Sequence, residues 1–393
     1  MVNIILSMNI LLIGEYSRLH NSLKEGLLKS GHQVSILGFG DSFKDFPVDF
    51  KLYKRWDSGL LKKIKIGVYK ICGFDISSYL TYLQFKRNKS AFKDFDVVQL
   101  INENSFYCDY HFEKKILEFI FKNNQYVFLL SCGTDYVNIN YCFNNPDFKS
   151  IIQPYLQGKI AAKNYGGVLK FRTRSFKKLH YYIYKNIKGV IASDLDYHLP
   201  LLGNAKYRGM IPNPINIERI NFKPLLITDR IVIFLGINTE AYYKKGSDYF
   251  EEALAIISKK YPDKVEIIIT RSIPYAEYIQ VYDKSHILLD QTFSLDQGYN
   301  ALEAMAKGKV VFTGAETIFE KYFSLQEKVV INAVADVAYL VEQLSLLIEN
   351  PEEIVSMGNR ARQFIEREHD YIKIAQKYLN HWKTGSSDLL SNL

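Results

Sequence analysis

The sequence predicts an α/β protein built from two Rossmann-like domains that face each other across a cleft. Three observations carry that expectation. Runs such as residues 9–13 and 310–313 are almost wholly apolar, the pattern of strands buried on both faces of a parallel sheet. Helical periodicity lies between such runs, as in residues 19–29, where Leu19, Leu23, Leu27 and Leu28 recur near helical spacing. The alternation then pauses at Ile211-Pro212-Asn213-Pro214-Ile215-Asn216, and a Pro-rich stretch of this kind sits where domains meet. At 393 residues the chain is too long for one typical core, so two domains are the natural division.

The first half opens on the apolar stretch Met1 to Gly14, which has no basic leader region, no small-residue cleavage site, and too little length to span a bilayer. It is expected to supply the first strand. Gly31 is a good stop for the helix that follows, and residues 33–37 form the next strand. No G-x-G-x-x-G is present, so Gly14 is either a phosphate-facing turn or a plain tight turn. Arg18 and His20 stand at the helix start, either near a phosphate or acceptor in the cleft or as a solvated pair. Lys54, Arg55, Lys62, Lys63, Lys65 and Lys70 then interleave with Leu60, Leu61, Ile64, Val68 and Ile71 at helical spacing. That segregation suits a helix lying on an anionic membrane surface, and equally a domain helix with a solvated lysine face. Strands are expected at 96–101, 126–131 and 189–193, the last of them closing this half. Asn102 and Asp135 follow two of these strands and are cleft candidates, with a helix N-cap as the other reading of Asp135. A second basic, aromatic stretch spans residues 159–185, with no nucleic-acid-binding motif beside it.

The second half repeats the pattern. Residues 230–235 read as a strand ending at Gly236, then a loop with Asn238, Lys244, Lys245 and Gly246, then a helix over 247–259. A strand at 265–270 and a short helix to about residue 282 follow. Next come the strand around Ile287-Leu288-Leu289, a loop with Asp296, Gln297 and Gly298, a short helix carrying Glu303, a turn at Gly308 and the strand 310–313. A carboxylate on a short helix at the mouth of a parallel sheet suits a pair of ligand hydroxyls, and an ordinary solvated Glu is the plain alternative. Residues 351–382 are helical with a break near His369-Asp370, and the tail is expected to cross back onto the first half.

Fifty basic residues against 42 acidic give a formal charge of +8, which favours an anionic partner without choosing one. Cys72, Cys108, Cys132 and Cys142 show no metal or redox spacing and fit reduced thiols in a cytoplasmic protein, free or peripheral on the inner face of the membrane.

The order strand, Gly, Lys-Gly helix and strand, followed by Leu302-Glu303-Ala304-Met305-Ala306-Lys307-Gly308-Lys309-Val310-Val311, resembles the C-terminal domain of the group 1 glycosyltransferases. These are retaining, family four type enzymes of the GT-B fold, and the details here are most similar to bacterial surface-polysaccharide enzymes. Ser30-Gly31-His32-Gln33-Val34 resembles the family's opening unit, and Ile211-Pro212-Asn213-Pro214-Ile215 its hinge. The resemblance implies an acceptor-binding domain over residues 1–212, a nucleotide-sugar-binding domain over 213–370, and a helix from 371 returning to the first domain before the tail to 393.

It also implies roles. Glu303 would hydrogen-bond the donor's ribose, and Lys245, or as second choice Lys244, would neutralise its diphosphate. Gly14 and the backbone amides of Gly298, Tyr299 and Asn300 would face the same phosphates at a helix start. Two positions depart from the family pattern: Leu295 stands where its first Glu belongs, one residue from Asp296, and Ile237 where its Arg belongs, with Arg271 the candidate substitute. Asp135 and His20 are the acceptor-side catalytic candidates. The implied reaction moves a sugar from a nucleotide-diphosphate sugar to a lipid-linked or other glycan acceptor in capsule, O-antigen or exopolysaccharide synthesis. No metal, separate cofactor or nucleic acid is expected. Two rival readings remain: a non-catalytic sugar-nucleotide-binding partner subunit, and a GT-B-type nucleotide-sugar epimerase, which needs clustered acid-base carboxylates and His in the cleft, a cluster the sequence does not show.

Overall fold

The structure is a computed structural model that describes residues 7–41 and 45–384, with backbone alone at 275, 276 and 384. The apolar residues before Ser7 and the tail after Thr384 lie outside the described residues. The chain forms two parallel sheets, one of seven strands and one of five.

The first sheet holds β1 (Asn9–Ile13), β2 (Gln33–Gly38), β3 (Phe50–Lys51), β4 (Val97–Leu100), β5 (Val127–Ser131), β6 (Gly189–Ala192) and β7 (Tyr207–Met210), in the order β3-β2-β1-β4-β5-β6-β7. Strands β4, β5 and β6 are buried at every residue, as strands covered by helices on both faces must be. The strand at 189–193 does not close this half, because β7 pairs beyond it. β7 carries an exposed Arg208 and Gly209 in place of an apolar run, which is why it escapes a pattern search.

The second sheet holds β8 (Ile231–Ile237), β9 (Val265–Arg271), β10 (Ile287–Leu289), β11 (Val310–Thr313) and β12 (Ile331–Asn332), ordered β12-β11-β10-β8-β9. Each sheet reverses its winding once, between β1 and β4 and between β8 and β10. Open α/β sheets bind ligands outside the carboxyl ends of strands at such reversals.

Two chain crossings join the lobes, and they are pinned to each other. Ile215 bridges Asp370, its amide donating to the His369 carbonyl at 2.7 Å and its carbonyl accepting from the Tyr371 amide at 3.2 Å. The helix Tyr371–Thr384 then packs on the first lobe. Its residues Tyr371, Ile374, Ala375, Tyr378, Leu379 and Trp382 recur at helical spacing and are all buried. Trp382 Nε1 donates to Gln99 Oε1 of β4 at 3.0 Å. Gly26, on the helix Leu19–Lys29, permits the approach, since a Cβ there would stand 2.3 Å from the Tyr371 carbonyl oxygen.

Candidate active site between the lobes

The loops at the strand ends of one lobe touch those of the other. Asp196, on the helix Leu195–Leu201 after β6, accepts from the Leu295 amide at 2.9 Å and from the Ser294 hydroxyl. Asp296 reciprocates by accepting from the Leu195 amide at 3.2 Å. A third tie runs from Lys149 Nζ to Glu316 Oε1 at 2.7 Å and to the Ala333 carbonyl at 2.8 Å. Tyr299 makes the fourth, its hydroxyl lying 2.6 Å from Ser22 Oγ and donating to the Pro214 carbonyl at 2.8 Å.

Asp296 therefore clasps the opposite lobe with a buried carboxylate. Burial pushes its pKa up to about 7, against the opposing pull of the Gln297 and Leu195 amides. Burial raises Asp194 and Asp196 as well. Sequence reading expected no cluster of acid-base carboxylates in the cleft. The structure assembles one, because residues 194–196 and 294–296 are brought together only by lobe packing.

Two cavities open at this joint. The larger, about 710 Å³, is lined by Lys159 and Asn164 of the first lobe and by Thr239, Tyr242, Lys244 and Arg271 of the second. Lys159 pairs with Asp248 at 2.5 Å, and Arg271 pairs with Glu251. Lys244 makes no ion pair among the described residues. Its ammonium lies 5.0 Å over the Tyr165 ring, and burial lowers its pKa. The smaller cavity, about 170 Å³, is lined by Asn138, Ser150, Asp194 and Asp196 from one side and Gln291, Gln297 and Gly298 from the other. Ser150 Oγ and Gln297 Oε1 are buried there without a partner among the described residues.

The expected donor residues are thus divided. Lys244 and Arg271 meet in the larger cavity, and Gly298 lines the smaller one. Lys245 Nζ sits on Asp290 Oδ1 at 2.8 Å, with side chains 33% and 1% exposed. Its charge is balanced by Asp290, so Lys244, the second choice for the diphosphate, is the one that brings its ammonium to a cavity, where Glu240 attracts it without an ion pair. Gly246 sets the turn that follows them: its φ is +68°, and a Cβ would meet Thr292 Oγ1 at 2.0 Å.

Glu303 is half-buried on the helix Tyr299–Ala306, which begins at Gly298 with no side chain to cap it. Its charge acts on the Tyr299 phenol, whose pKa is raised first by burial and then by Glu303 and Glu15, with Arg18 opposing. Glu303 thus belongs to a polar group at the lobe joint together with residues that follow β1. The Asn300 side chain turns elsewhere and accepts from the Tyr278 hydroxyl at 3.1 Å.

Both acceptor-side candidates prove structural in their contacts. Asp135 is a helix N-cap: it accepts from the Asn138 amide at 2.7 Å and from the Ser131 hydroxyl, and burial raises its pKa to about 7. His20 is 0% exposed, and its Nδ1 donates to the Gly14 carbonyl at 2.7 Å, holding the turn. Burial lowers its pKa to about 4, so the ring is neutral and Nε2 is a buried acceptor without a partner among the described residues. Gly14 itself is explained by its turn: φ is +92°, and a Cβ would meet Ile101 Cγ2 at 2.2 Å. Arg18 pairs with Glu25 at 2.7 Å.

Sequence reading missed Glu15. It is buried, its Oε2 accepts from the Asn21 amide at 2.8 Å, and its Oε1 has no partner among the described residues. Burial raises its pKa to about 8, so it is a neutral acid at pH 7. A polar residue straight after a buried strand was the available signal.

A glycosyl transferase-like family profile matches residues 241–380. No curated protein sequence matches the chain. Among solved structures, sucrose-phosphate synthase from Thermosynechococcus elongatus is similar at a TM-score of 0.61 and 14% identity, over 96% of this chain and 98% of that one. HepE of Anabaena, in complex with UDP and glucose, is similar at 0.55 and 12%, over 96% of this chain and 100% of that one. A putative UDP-N-acetylglucosamine 2-epimerase from Listeria monocytogenes is similar at 0.53 and 11%, over 96% of each chain. At such identities the likeness is one of fold. The chain therefore has the two-lobed GT-B fold, and its second lobe carries a glycosyl transferase-like domain.

Proposed function

We propose that the protein is a retaining glycosyltransferase that moves a sugar from a nucleotide-diphosphate sugar to a lipid-linked or other glycan acceptor in bacterial surface-polysaccharide synthesis. The observation that carries this reading is the inter-lobe cavity whose cations come from both lobes, with Lys244 among them making no ion pair among the described residues. A nucleoside diphosphate leaving group gathers negative charge as its bond to the sugar breaks. Fixed cations in a site of low dielectric stabilise that charge more in the transition state than in the ground state.

In this reading Lys244 and Arg271 meet the diphosphate in the larger cavity, and the helix start at Gly298, Tyr299 and Asn300 faces the donor from the side of the smaller one. Glu303 accepts from the ribose hydroxyls at the lobe joint. The acceptor hydroxyl attacks on the face the nucleotide leaves, through an oxocarbenium-like transition state, so no protein nucleophile is required. The positive field is assigned to side chains and amides, with no metal. The clasp of Asp196 on the Leu295 amide and of Asp296 on the Leu195 amide holds the lobes closed, which keeps two substrates in line. The smaller polar cavity, with its unpartnered Ser150 and Gln297 atoms, suits a hydroxyl-rich sugar ring. The acceptor reaches the cleft from the inner face of a membrane on which the protein rests peripherally.

The carboxylate cluster at residues 194–196 and 296 favours one second reading, a nucleotide-sugar epimerase. The two reactions differ in what they need. Transfer releases nucleoside diphosphate only when an acceptor is supplied, whereas epimerisation changes the sugar without one. Incubating the purified protein with nucleotide sugars, with and without a membrane extract, tests both. Acceptor-dependent release of nucleoside diphosphate is expected. An isomerised nucleotide sugar in the acceptor-free arm would replace the transferase reading with the second one.

A further inference from the structure

The helix Gly59–Cys72 has no buried residue along its 14 positions. Leu60, Leu61, Ile64, Val68 and Ile71 fall on one side of it at helical spacing. Leu60 is 72% exposed and Ile71 88%. An apolar stripe left in water marks a surface that something covers. The charge around it names the partner. Residues 51–74 hold seven Lys and Arg and a single Asp, in a chain whose whole excess is +8. Lys65 is tied to Asp57, but Lys62, Lys63 and Lys70 make no ion pair among the described residues. Apolar residues flanked by unpaired lysines match a layer of acyl chains beneath anionic headgroups. No described helix is long and apolar enough to cross a membrane.

This surface also leads to the site. The Lys54 ammonium lies 4.9 Å over the Tyr107 ring, and Tyr107 packs against Tyr16 at 6.2 Å and Phe39 at 5.6 Å. Tyr16 lies just beyond the end of β1, and Phe39 directly follows β2.

We propose that the helix Gly59–Cys72 lies in the headgroup layer of an anionic bilayer and so presents the strand ends of the first lobe to an acceptor carried in that bilayer. The second half of this statement rests on the transferase reading; the first half does not. Sedimentation with protein-free vesicles tests it, using phosphatidylcholine with and without phosphatidylglycerol. Binding to the anionic vesicles alone is expected, weakening as NaCl rises. Each lysine beside an anionic surface contributes about fivefold, so K62Q/K63Q/K70Q is expected to bind about 100-fold more weakly. Leu60→Ser with Ile71→Ser is expected to lose binding at an unchanged Tm, since both side chains are exposed.

Glu303→Ala is the control that separates the two claims, because it is expected to bind vesicles like the parent whether or not sugar transfer is the reaction. Absence of low-salt binding to anionic vesicles would overturn the proposal, as would parental binding by the triple lysine variant. So would a dimer in sedimentation velocity that Ile71→Ser dissolves, since a second copy would then be what covers the stripe.

Discussion

Replacing Lys244 by Met removes a charge and keeps most of the side chain's bulk. The structure assigns the change two separable effects. Lys244 has no ion pair among the described residues, and its ammonium is already disfavoured by burial. Its loss therefore costs the fold little, within about 1 kcal/mol. For a cation aimed at a departing diphosphate, the loss in kcat/KM is about 10²- to 10³-fold, roughly 2.7–4 kcal/mol of transition-state stabilisation. Lys245→Met is the contrasting change. It leaves the Asp290 carboxylate, 1% exposed, with the Thr313 hydroxyl at 3.4 Å. Breaking a fully buried pair costs about 3–5 kcal/mol, and the exposure of Lys245 discounts this to about 2 kcal/mol, or about 4–8 °C in Tm. K245M/D290N removes the stranded charge and recovers most of that Tm. Nucleoside diphosphate release and differential scanning fluorimetry on the three variants read both effects. If K244M keeps kcat/KM within about threefold of the parent, the transition-state contribution assigned to it is absent. If K244M instead melts like K245M, the lysine is a structural group and the cavity is not built around its charge.

Further outcomes follow from the packing and the buried acids. Trp382→Ala opens a cavity against β4 and frees Gln99, and is expected to destabilise by about 3–5 kcal/mol in urea unfolding; a loss below about 1 kcal/mol would mean that the returning helix is not held there. Gly246→Ala forces a Cβ into Thr292 at a left-handed backbone position, so its Tm is expected to fall while the milder Gly203→Ala, also left-handed but with open space around it, falls less. Among the carboxyls that titrate high in the fold, Asp135 and Asp296 lie at about 7 and Glu15 and Glu113 at about 8. A raised carboxyl pKa favours the folded state at low pH, and that advantage is lost as pH rises through the folded value. His20 and His369, both lowered to about 4, act oppositely but only below their ordinary value of 6.5. Tm is therefore expected to fall between pH 6.5 and 8, with a shallower fall in Asp296→Asn; a Tm that rises over that window would contradict the assignment of buried neutral acids.

Most of the fold was legible in the sequence because its strands are buried on both faces. Such strands, β5 and β11 among them, appear as unbroken apolar runs, and the seam at 211–216 announces itself through proline. What escaped were edge strands. β3 and β12 have two residues each, and β7 has Arg208 and Gly209 where a buried strand would have aliphatic residues. The site was legible at the level of segments and not of side chains. Sequence placed Lys244 and Lys245 in a loop and Glu303 on a short helix, and the structure has them there, with Arg271 at the end of β9. It had no means of telling that Lys245 points to Asp290 while the neighbouring Lys244 points to a cavity, because adjacent loop residues diverge by local backbone geometry. Asp135 was equally open to a cap or a cleft role, and its bond to the Asn138 amide decides for the cap. The pairing of residues 194–196 with 294–296 spans about a hundred positions and exists only after the lobes dock, so no local pattern records it.

Binding of activated sugars tests the central reading most directly. A panel of nucleotide-diphosphate sugars is screened by thermal shift against the parent protein and Glu303→Ala, since any ligand that favours the native state raises Tm by mass action. At least one member of the panel is expected to raise the parent's Tm, and the same compound is expected to leave Glu303→Ala unmoved although the two unliganded proteins melt alike. A panel that shifts neither protein, or a shift of equal size in both, would contradict the assignment of the cleft to a nucleotide sugar held by Glu303.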